Sequence, residues 1–366
     1  MSWHSVLCVT NDFPPAIGGI QTYVYDYCLG LAAAGIAVHV LASIPRDRTL
    51  AAAAAQWDRA QPFTVHRHHL APLLPTPAVG WTMRRLIRAY GIDTVWFGAA
   101  APLGLLAEQA REAGASQIIA STHGHEVGWL TVPRAGALIS RITQSCDVVT
   151  YISEFTRQRL EPLVGTASLV HLPGAVTVPD SEPARLDHEE LWVTCVSRLV
   201  RRKGQDWLIR AVSELDGVQL NLVGEGPDER YLRRLARRTG AHVTWWGHCS
   251  DESVDSILSS SDIFAMPART RWGGIDVEGL GIVYLQAQAW GLPVIAGSSG
   301  GAPETVAPQS GIVVATYPEL VAALQALVAD PERRQAMGRA GREHVAEHWD
   351  RERLRARFVA TVGGTQ

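Results

Sequence analysis

The sequence predicts an α/β protein built from two doubly wound, parallel-sheet domains, and three observations carry that prediction. Short apolar runs alternate with amphipathic helical stretches almost from end to end, the pattern of parallel strands covered by helices. The alternation lapses once, over 173–190, into Pro, Asp, Glu and Ser with little periodicity, and resumes at Leu191. At 366 residues the chain is too long for one small domain and has room for two of about 150 residues each.

In the first half, strands are expected at Val6 to Val9, Val38 to Leu41, Thr94 to Phe97, Ile118 to Ser121 and Val148 to Ile152. Between the first two, Ile20, Tyr23, Val24, Tyr27 and Leu31 recur at helical spacing and share one face, which makes a βαβ unit. The second half offers strands at Val193 to Val196, Gln219 to Val223, Val243 to Trp246, Ile263 to Ala265, Pro293 to Ala296 and Ile312 to Val314. Asp350 to Val362 carries Leu354, Phe358 and Val359 among arginines and reads as a closing amphipathic helix. The expected divisions are a first domain over 1–172, a linker over 173–190 and a second domain over 191–347. Matching architecture on both sides of the linker suggests two Rossmann-like halves facing a central cleft, with ligands at the carboxyl ends of the strands.

Composition narrows the function classes. With 47% hydrophobic and 19% charged residues, full cores are available, and disorder or collagen-like repeats are excluded. Lys and Arg total 33 against 36 for Asp and Glu, a net charge of -3, so nothing global points to nucleic acid. Cys8, Cys28, Cys146, Cys195 and Cys249 are scattered, odd in number and never spaced C-x-x-C. That argues against a disulfide framework or a zinc knuckle and for buried thiols in a reducing cytoplasm. The first residues lack a basic region ahead of an apolar run, so no signal peptide is expected. No apolar run approaches the roughly 18–20 residues that span a bilayer, which leaves any membrane contact peripheral.

Four stretches stand at strand ends, where chemistry is done in such folds. Asn11 to Gln21 joins the first strand to the first helix, and Gly18 and Gly19 permit close backbone approach beside uncapped helix amides. A phosphate loop and an ordinary βα turn both fit it. A Walker loop does not, since no Gly-Lys-Ser/Thr follows. Ser197 to Gly204 sets four cations after the first strand of the second half. Arg198 and Lys203 are the candidates for a diphosphate, against a solvated basic loop. Ala268 to Gln286 places Glu278 ahead of Gly279, Leu280 and Gly281 at the start of a helix, with Gln286 about one turn in; Gly297 to Glu304 adds another glycine turn on the same rim. Ser121 to Glu126 offers His123 as a donor to a sugar hydroxyl or phosphate, and His125 or Glu126 to orient an acceptor.

Other signals are weaker. The His123, His125 and Glu126 set fits no standard zinc spacing. His66-Arg67-His68-His69 reads as a solvated strand end, and Gly224-Glu225-Gly226-Pro227 lacks the rest of a dinucleotide fingerprint. Asp276-Val277-Glu278 is the nearest approach to a metal-holding carboxylate pair. Val79 to Tyr90 sets Trp81, Met83, Leu86, Ile87 and Tyr90 among Arg84, Arg85 and Arg88. It reads as a helix packed on its own sheet or as one lying on an anionic membrane.

Taken together, Asn11 to Gln21, Trp96 to Pro102, Thr122 to Glu126, Ser197 to Gly204, Pro267 to Arg271 and Asp276 to Leu285 resemble the retaining glycosyltransferases of family 4, which have the GT-B fold. The likeness covers nearly the whole chain and is strongest to actinobacterial mannosyltransferases acting on phosphatidylinositol monomannoside. It implies a nucleotide-sugar donor, GDP-mannose, held mainly by the second domain, and an acceptor held mainly by the first. It also implies that a C-terminal helix over 348–366 packs back on the first domain. By similarity Arg198 and Lys203 hold the diphosphate, helped by backbone at Gly18, Gly19, Leu280 and Gly281. Glu278 hydrogen-bonds donor-sugar hydroxyls, and His123 contacts the sugar from the opposite domain. Asn11, Asp12, Gln21 and His125 are the candidate acceptor contacts.

The resemblance further implies retention by same-face attack, with the leaving phosphate assisting removal of the acceptor proton. No cofactor, magnesium ion or other metal is required in this picture. Two departures from the family pattern stand out. Gln286 occupies the place of the second Glu of the signature, which suggests weaker donor binding or a shifted donor preference. Leu172 to Thr177 replaces a Pro-Gly-Val-Asp turn, which suggests a different acceptor. The expected partners are a nucleotide sugar and a lipid or small-molecule acceptor, in the cytoplasm or peripherally on the inner face of the plasma membrane. Two alternatives remain. One is the same chemistry with another nucleotide sugar on a soluble or secondary-metabolite acceptor. The other is a non-catalytic nucleotide-sugar-binding protein.

Overall fold

Seven parallel strands build the first sheet: β1 (Ser5–Thr10), β2 (Ala37–Ser43), β3 (Thr64–His68), β4 (Thr94–Phe97), β5 (Gln117–Ser121), β6 (Val148–Tyr151) and β7 (Ser168–His171), in the order β3-β2-β1-β4-β5-β6-β7. Six more build the second: β8 (Leu191–Val196), β9 (Val218–Val223), β10 (Val243–Gly247), β11 (Ile263–Met266), β12 (Val294–Gly297) and β13 (Gly311–Val314), in the order β10-β9-β8-β11-β12-β13. The computed structural model describes residues 4–16, 18–45, 47–130, 133–180 and 189–364, apart from the side chains of His125, Trp129 and Pro133. Both sheets follow the doubly wound order, so each has a topological switch point, between β1 and β4 and between β8 and β11.

The central strands are apolar because helices cover both faces. All six residues of β1 are buried, and Leu7, Val9, Val95, Phe97, Ile118 and Ala120 pack with Met83 and Ile87 of the helix Pro77–Tyr90. That helix shows how local sequence sets its bounds. Thr76 caps its first turn, Pro77 occupies a position where no N–H is needed, and Gly91 ends it in a left-handed conformation. In the second sheet Val193, Leu220, Leu222, Phe264 and Ile295 pack with Leu208, Leu232 and Leu324.

Two strands, β3 and β7, lie outside the five expected in the first half. Both are edge strands with polar sequences, TVHRH and SLVH, so neither shows the apolar run that marks a covered strand. Nor is His66 to His69 a solvated strand end. His68 is buried, and Arg67 pairs with Asp58 at 2.8 Å and donates to the Pro14 carbonyl.

The chain divides into one unit of residues 1–174 with 352–366 and a second of residues 175–351. Residues 175–180, expected in the linker, group with the second unit. Val176 joins its backbone to the other end of that unit, donating to the Trp349 carbonyl at 3.3 Å and accepting from the Arg351 N–H at 3.1 Å. Residues 181–188 of the expected linker lie outside the described residues. Within the first unit the last helix, Arg351–Val362, buries Leu354 and Phe358. The Phe358 ring lies 4.8 Å from Trp96 and 5.3 Å from Tyr27, and Arg355 pairs with Asp26 at 2.8 Å. All five cysteines are free thiols, four of them buried. Among the described residues no helix is long and apolar enough to cross a membrane.

Candidate active site

In the second unit, the loops after β8, β11 and β12 meet around Glu278. The Ser197 to Gly204 loop is pinned from below by Gln205, whose amide donates to the Ser197 hydroxyl at 2.9 Å and to the Arg198 carbonyl at 3.0 Å. It is propped from the side by the turn after β9. The Leu199 N–H donates to the Glu225 carbonyl at 2.9 Å, and a Cβ at Gly224 or Gly226 would fall 2.3 Å from the carbonyl oxygen of Ser197 or Leu199. The Gly-Glu-Gly-Pro stretch therefore supports this loop by close backbone approach.

The four cations of the loop have different fates. Arg201 stacks on Tyr231 and faces Asp228. Arg202 spans two carboxylates, its Nε 3.0 Å from Asp276 Oδ1 and one terminal nitrogen 2.6 Å from Glu278 Oε2. Lys203 Nζ sits 2.7 Å from the same Glu278 oxygen. Arg198 is exposed and forms no ion pair with a described residue. Sequence reasoning named Arg198 and Lys203 for the diphosphate, counted Arg202 only among the four cations, and read Asp276 with Glu278 as the nearest approach to a metal-holding carboxylate pair. The structure pairs Lys203 with Glu278 and leaves Arg198 open to an anion.

Glu278 is held at both ends of its backbone by the turn after β12. Its N–H donates to the Ser299 hydroxyl at 3.1 Å, and its carbonyl accepts from the Gly301 N–H at 3.1 Å. Gly300, at φ +57°, passes so near that a Cβ there would lie 1.9 Å from the Glu278 carbonyl oxygen. The side chain is only 9% exposed. Burial pushes its carboxyl up, but the Lys203 ammonium and the Arg202 guanidinium outweigh that and hold it below the usual carboxylate range. Both cations sit on Oε2, while Oε1 accepts from no described residue, which leaves one carboxylate oxygen able to accept a hydrogen bond.

Just beyond, Gly281 adopts φ +86° and opens the helix Ile282–Ala289, whose first turn has no side-chain cap. Leu280 is buried. Tyr284, fully buried with its hydroxyl pushed well up by burial, ties the helix to β11 by donating to the Met266 carbonyl at 2.6 Å. Gln286 is half-buried, and its side-chain amide bonds to no described residue.

The first unit carries its own set of loops at its switch point. The helix Gly19–Ala33 begins after Gly18 without a side-chain cap. The Gln21 amide folds back to Asp12 at 2.9 Å. Asn11 spends its amide on Leu73, donating to its carbonyl at 3.0 Å and accepting from its N–H at 2.6 Å, which fastens the loop after β3. His123 lies at the end of β5 with Nε2 2.6 Å from the Gly98 carbonyl. A carbonyl can only accept, so Nε2 carries the proton. The Tyr23 ring meets the imidazole edge-on at 4.9 Å. Glu126 is fully buried, and its carboxylate accepts the His123 N–H at 3.0 Å, shaping this turn from within. His125 opens the short helix His125–Trp129, and its side chain lies outside the described residues. Among the described residues no group of three or more His, Cys, Asp or Glu converges as a metal site.

Known proteins share the family and the fold of this chain. The family described as Glycosyltransferase Family 4 matches residues 17–176, and Glycosyl transferases group 1 matches residues 179–344. The chain is 45% identical, over 96% of both chains, to a GDP-mannose-dependent monoacylated alpha-(1-6)-phosphatidylinositol monomannoside mannosyltransferase of Corynebacterium glutamicum. It is 44% identical, over 98% of both, to a GDP-mannose-dependent alpha-(1-6)-phosphatidylinositol monomannoside mannosyltransferase of Mycobacterium tuberculosis. Among solved structures, a sucrose-phosphate synthase from Thermosynechococcus elongatus superposes with a TM-score of 0.80 at 22% identity, covering 99% of this chain and 98% of that one. Anabaena HepE in complex with UDP and glucose superposes with a TM-score of 0.76 at 15% identity, covering 98% of this chain and 99% of that one.

Proposed function

We propose the following reaction for this chain, which belongs to the family 4 glycosyltransferases of GT-B fold: a mannosyl residue passes from GDP-mannose to a phosphatidylinositol mannoside or related glycolipid, with retention at the anomeric carbon. The observation that carries the reading is 44–45% identity over nearly the whole chain to mannosyltransferases of that donor and acceptor class. The bond from the anomeric carbon to the departing phosphate oxygen breaks as an acceptor hydroxyl oxygen bonds to the same carbon on the same face. The hydroxyl proton goes to the departing phosphate, so no separate base is required. Positive charge grows on the sugar ring and negative charge on the diphosphate, and fixed cations at the second end stabilise the change.

The residues fit those roles. Arg198 and Lys203 hold the diphosphate, with backbone amides at Gly19, Leu280 and Gly281. Glu278 accepts from a donor-sugar hydroxyl through Oε1, and His123 contacts the sugar. Asp12, Gln21 and His125 belong to the acceptor side, where Asn11 acts by fastening its loop. The cations supply the charge that a metal ion would, so magnesium is not essential in this reading. Gln286 favours a second reading, a donor other than GDP-mannose, because it brings one carbonyl acceptor where the family carries a carboxylate.

The acceptor class suggests a peripheral position on the inner face of the membrane, and the helix Pro77–Tyr90 supports it. Its apolar face is packed on its own sheet, yet Trp81 is 57% exposed, with Arg85 stacked over it and Arg88 exposed alongside.

Calorimetric titration with GDP-mannose, UDP-glucose and UDP-N-acetylglucosamine, with and without magnesium, tests the donor. Selective binding of GDP-mannose in both conditions is expected; preference for a UDP-sugar would overturn the mannosyl assignment. In the same titration Arg198→Ala is expected to weaken GDP binding roughly 10- to 100-fold, the loss of a charge-assisted hydrogen bond. Its thermal unfolding should stay unchanged, because the Arg198 side chain pairs with no described residue.

A further inference from the structure

We propose that Arg202 is a positioning residue for the donor sugar: anchored on Asp276, it holds the Glu278 carboxylate by Oε2 when the incoming diphosphate draws Lys203 away. The inference rests on the reading that Glu278 receives a donor-sugar hydroxyl. Three features of the site lead to it.

First, two cations share one oxygen. Lys203 and Arg202 lie 2.7 and 2.6 Å from Glu278 Oε2. Lys203 has no second ion pair among the described residues, and an ammonium on a flexible stem trades partners readily. A diphosphate that takes Lys203 would strip a buried carboxylate of its counter-charge if Lys203 were its sole partner, a costly outcome.

Second, Arg202 is fastened where Lys203 is not. Its Nε is 3.0 Å from Asp276 Oδ1, so the planar fork is fixed at two carboxylates. Its carbonyl accepts the Arg269 N–H at 2.7 Å, and Arg269 is itself held by Asp206 at 2.6 Å. Third, Asp276 is set by the turn it closes. The Arg271 N–H donates to the Asp276 carbonyl at 2.9 Å, and the Asp276 N–H returns to the Arg271 carbonyl at 3.3 Å. The chain Asp276, Arg202, Glu278 is therefore complete before any ligand arrives, and it leaves Glu278 Oε1 aimed by a rigid support.

The test compares GDP with GDP-mannose on the full chain, by calorimetry, for wild type, Asp276→Asn and Arg202→Lys. Asp276→Asn takes the charge from the anchor, which Arg271 also faces at 3.9 Å, and leaves a weaker neutral acceptor, without touching Lys203, Glu278 or Arg198. Arg202→Lys keeps a cation beside Glu278 but cannot span both carboxylates, and it serves should the asparagine variant fail to fold. GDP should bind both variants within threefold of wild type, while the ratio of GDP-mannose to GDP affinity falls about tenfold, the value of one well-placed charge-assisted hydrogen bond. Equal weakening of GDP would make Arg202 a diphosphate ligand and overturn the proposal, as would an unchanged ratio. Wild-type protein that binds GDP but not GDP-mannose would instead remove the donor reading and the inference with it.

Discussion

Replacing Glu278 by glutamine is expected to lower kcat by about 10²- to 10³-fold, the range for removing one preorganised polar group that meets a developing charge. The substitution keeps the volume but not the charge. Oε2 answers two cations, so the amide must turn its oxygen toward them and its NH₂ toward the sugar. On the proposed role of Glu278, a sugar hydroxyl that needs an acceptor then meets a donor. The diphosphate contacts proposed for Arg198 are untouched, so GDP affinity should hold while turnover collapses, and single-turnover transfer of labelled sugar separates the two. A fall of less than threefold would remove Glu278 from the chemistry.

The same variant carries a stability signature. The native carboxyl titrates below the usual carboxylate range, so its contribution is fully present above the unfolded pKa and is lost as pH falls through the lowered native value. Glu278→Gln should abolish that part of the acid limb of the stability curve. At neutral pH it costs about 1–3 kcal/mol, because Asp276 still answers Arg202 while Lys203 keeps only a neutral amide oxygen in place of its counter-charge.

Phe358→Ala is expected to be the most destabilising single change outside the site. The ring is fully buried, and its neighbours Trp96 and Tyr27 belong to a strand and a helix far away in the chain. Truncation leaves a cavity that these large rings cannot fill, at about 3–5 kcal/mol. For a unit of this size, that is a fall of roughly 6–20 °C in the midpoint. Calorimetry of the full chain should show the loss confined to the transition of the first unit, with the second unchanged. A loss below 1 kcal/mol would mean that the terminal helix is held by its Arg355–Asp26 pair and backbone contacts rather than by Phe358.

Much of the architecture was legible because covered parallel strands must be apolar and loops at their carboxyl ends must bend. Val6 to Val9, Thr94 to Phe97 and Val193 to Val196 announce themselves by composition, and Gly281 and Gly300 mark turns that need a left-handed backbone. The edge strands β3 and β7 were invisible for the converse reason: an edge is half-solvated, so Thr64–His68 and Ser168–His171 carry polar residues that no strand pattern distinguishes from a loop. Arg67 was read as solvated for the same cause, since only the folded chain brings Asp58 and Pro14 to it.

The sequence by itself determined the fold class, the family and the stretches that form the site, because hydrophobic period and glycine placement are local properties that each segment carries alone. Tertiary structure alone decided how the charges are shared. Arg202 and Glu278 stand 76 residues apart, and Asn11 and Leu73 stand 62 apart. Nothing along the chain says which of four neighbouring cations neutralises a carboxylate and which stays exposed. Pairing depends on distance in space, and the energy of a buried charge depends on what surrounds it. Both exist only once the loops after β8, β11 and β12 have been brought to one end of the sheet.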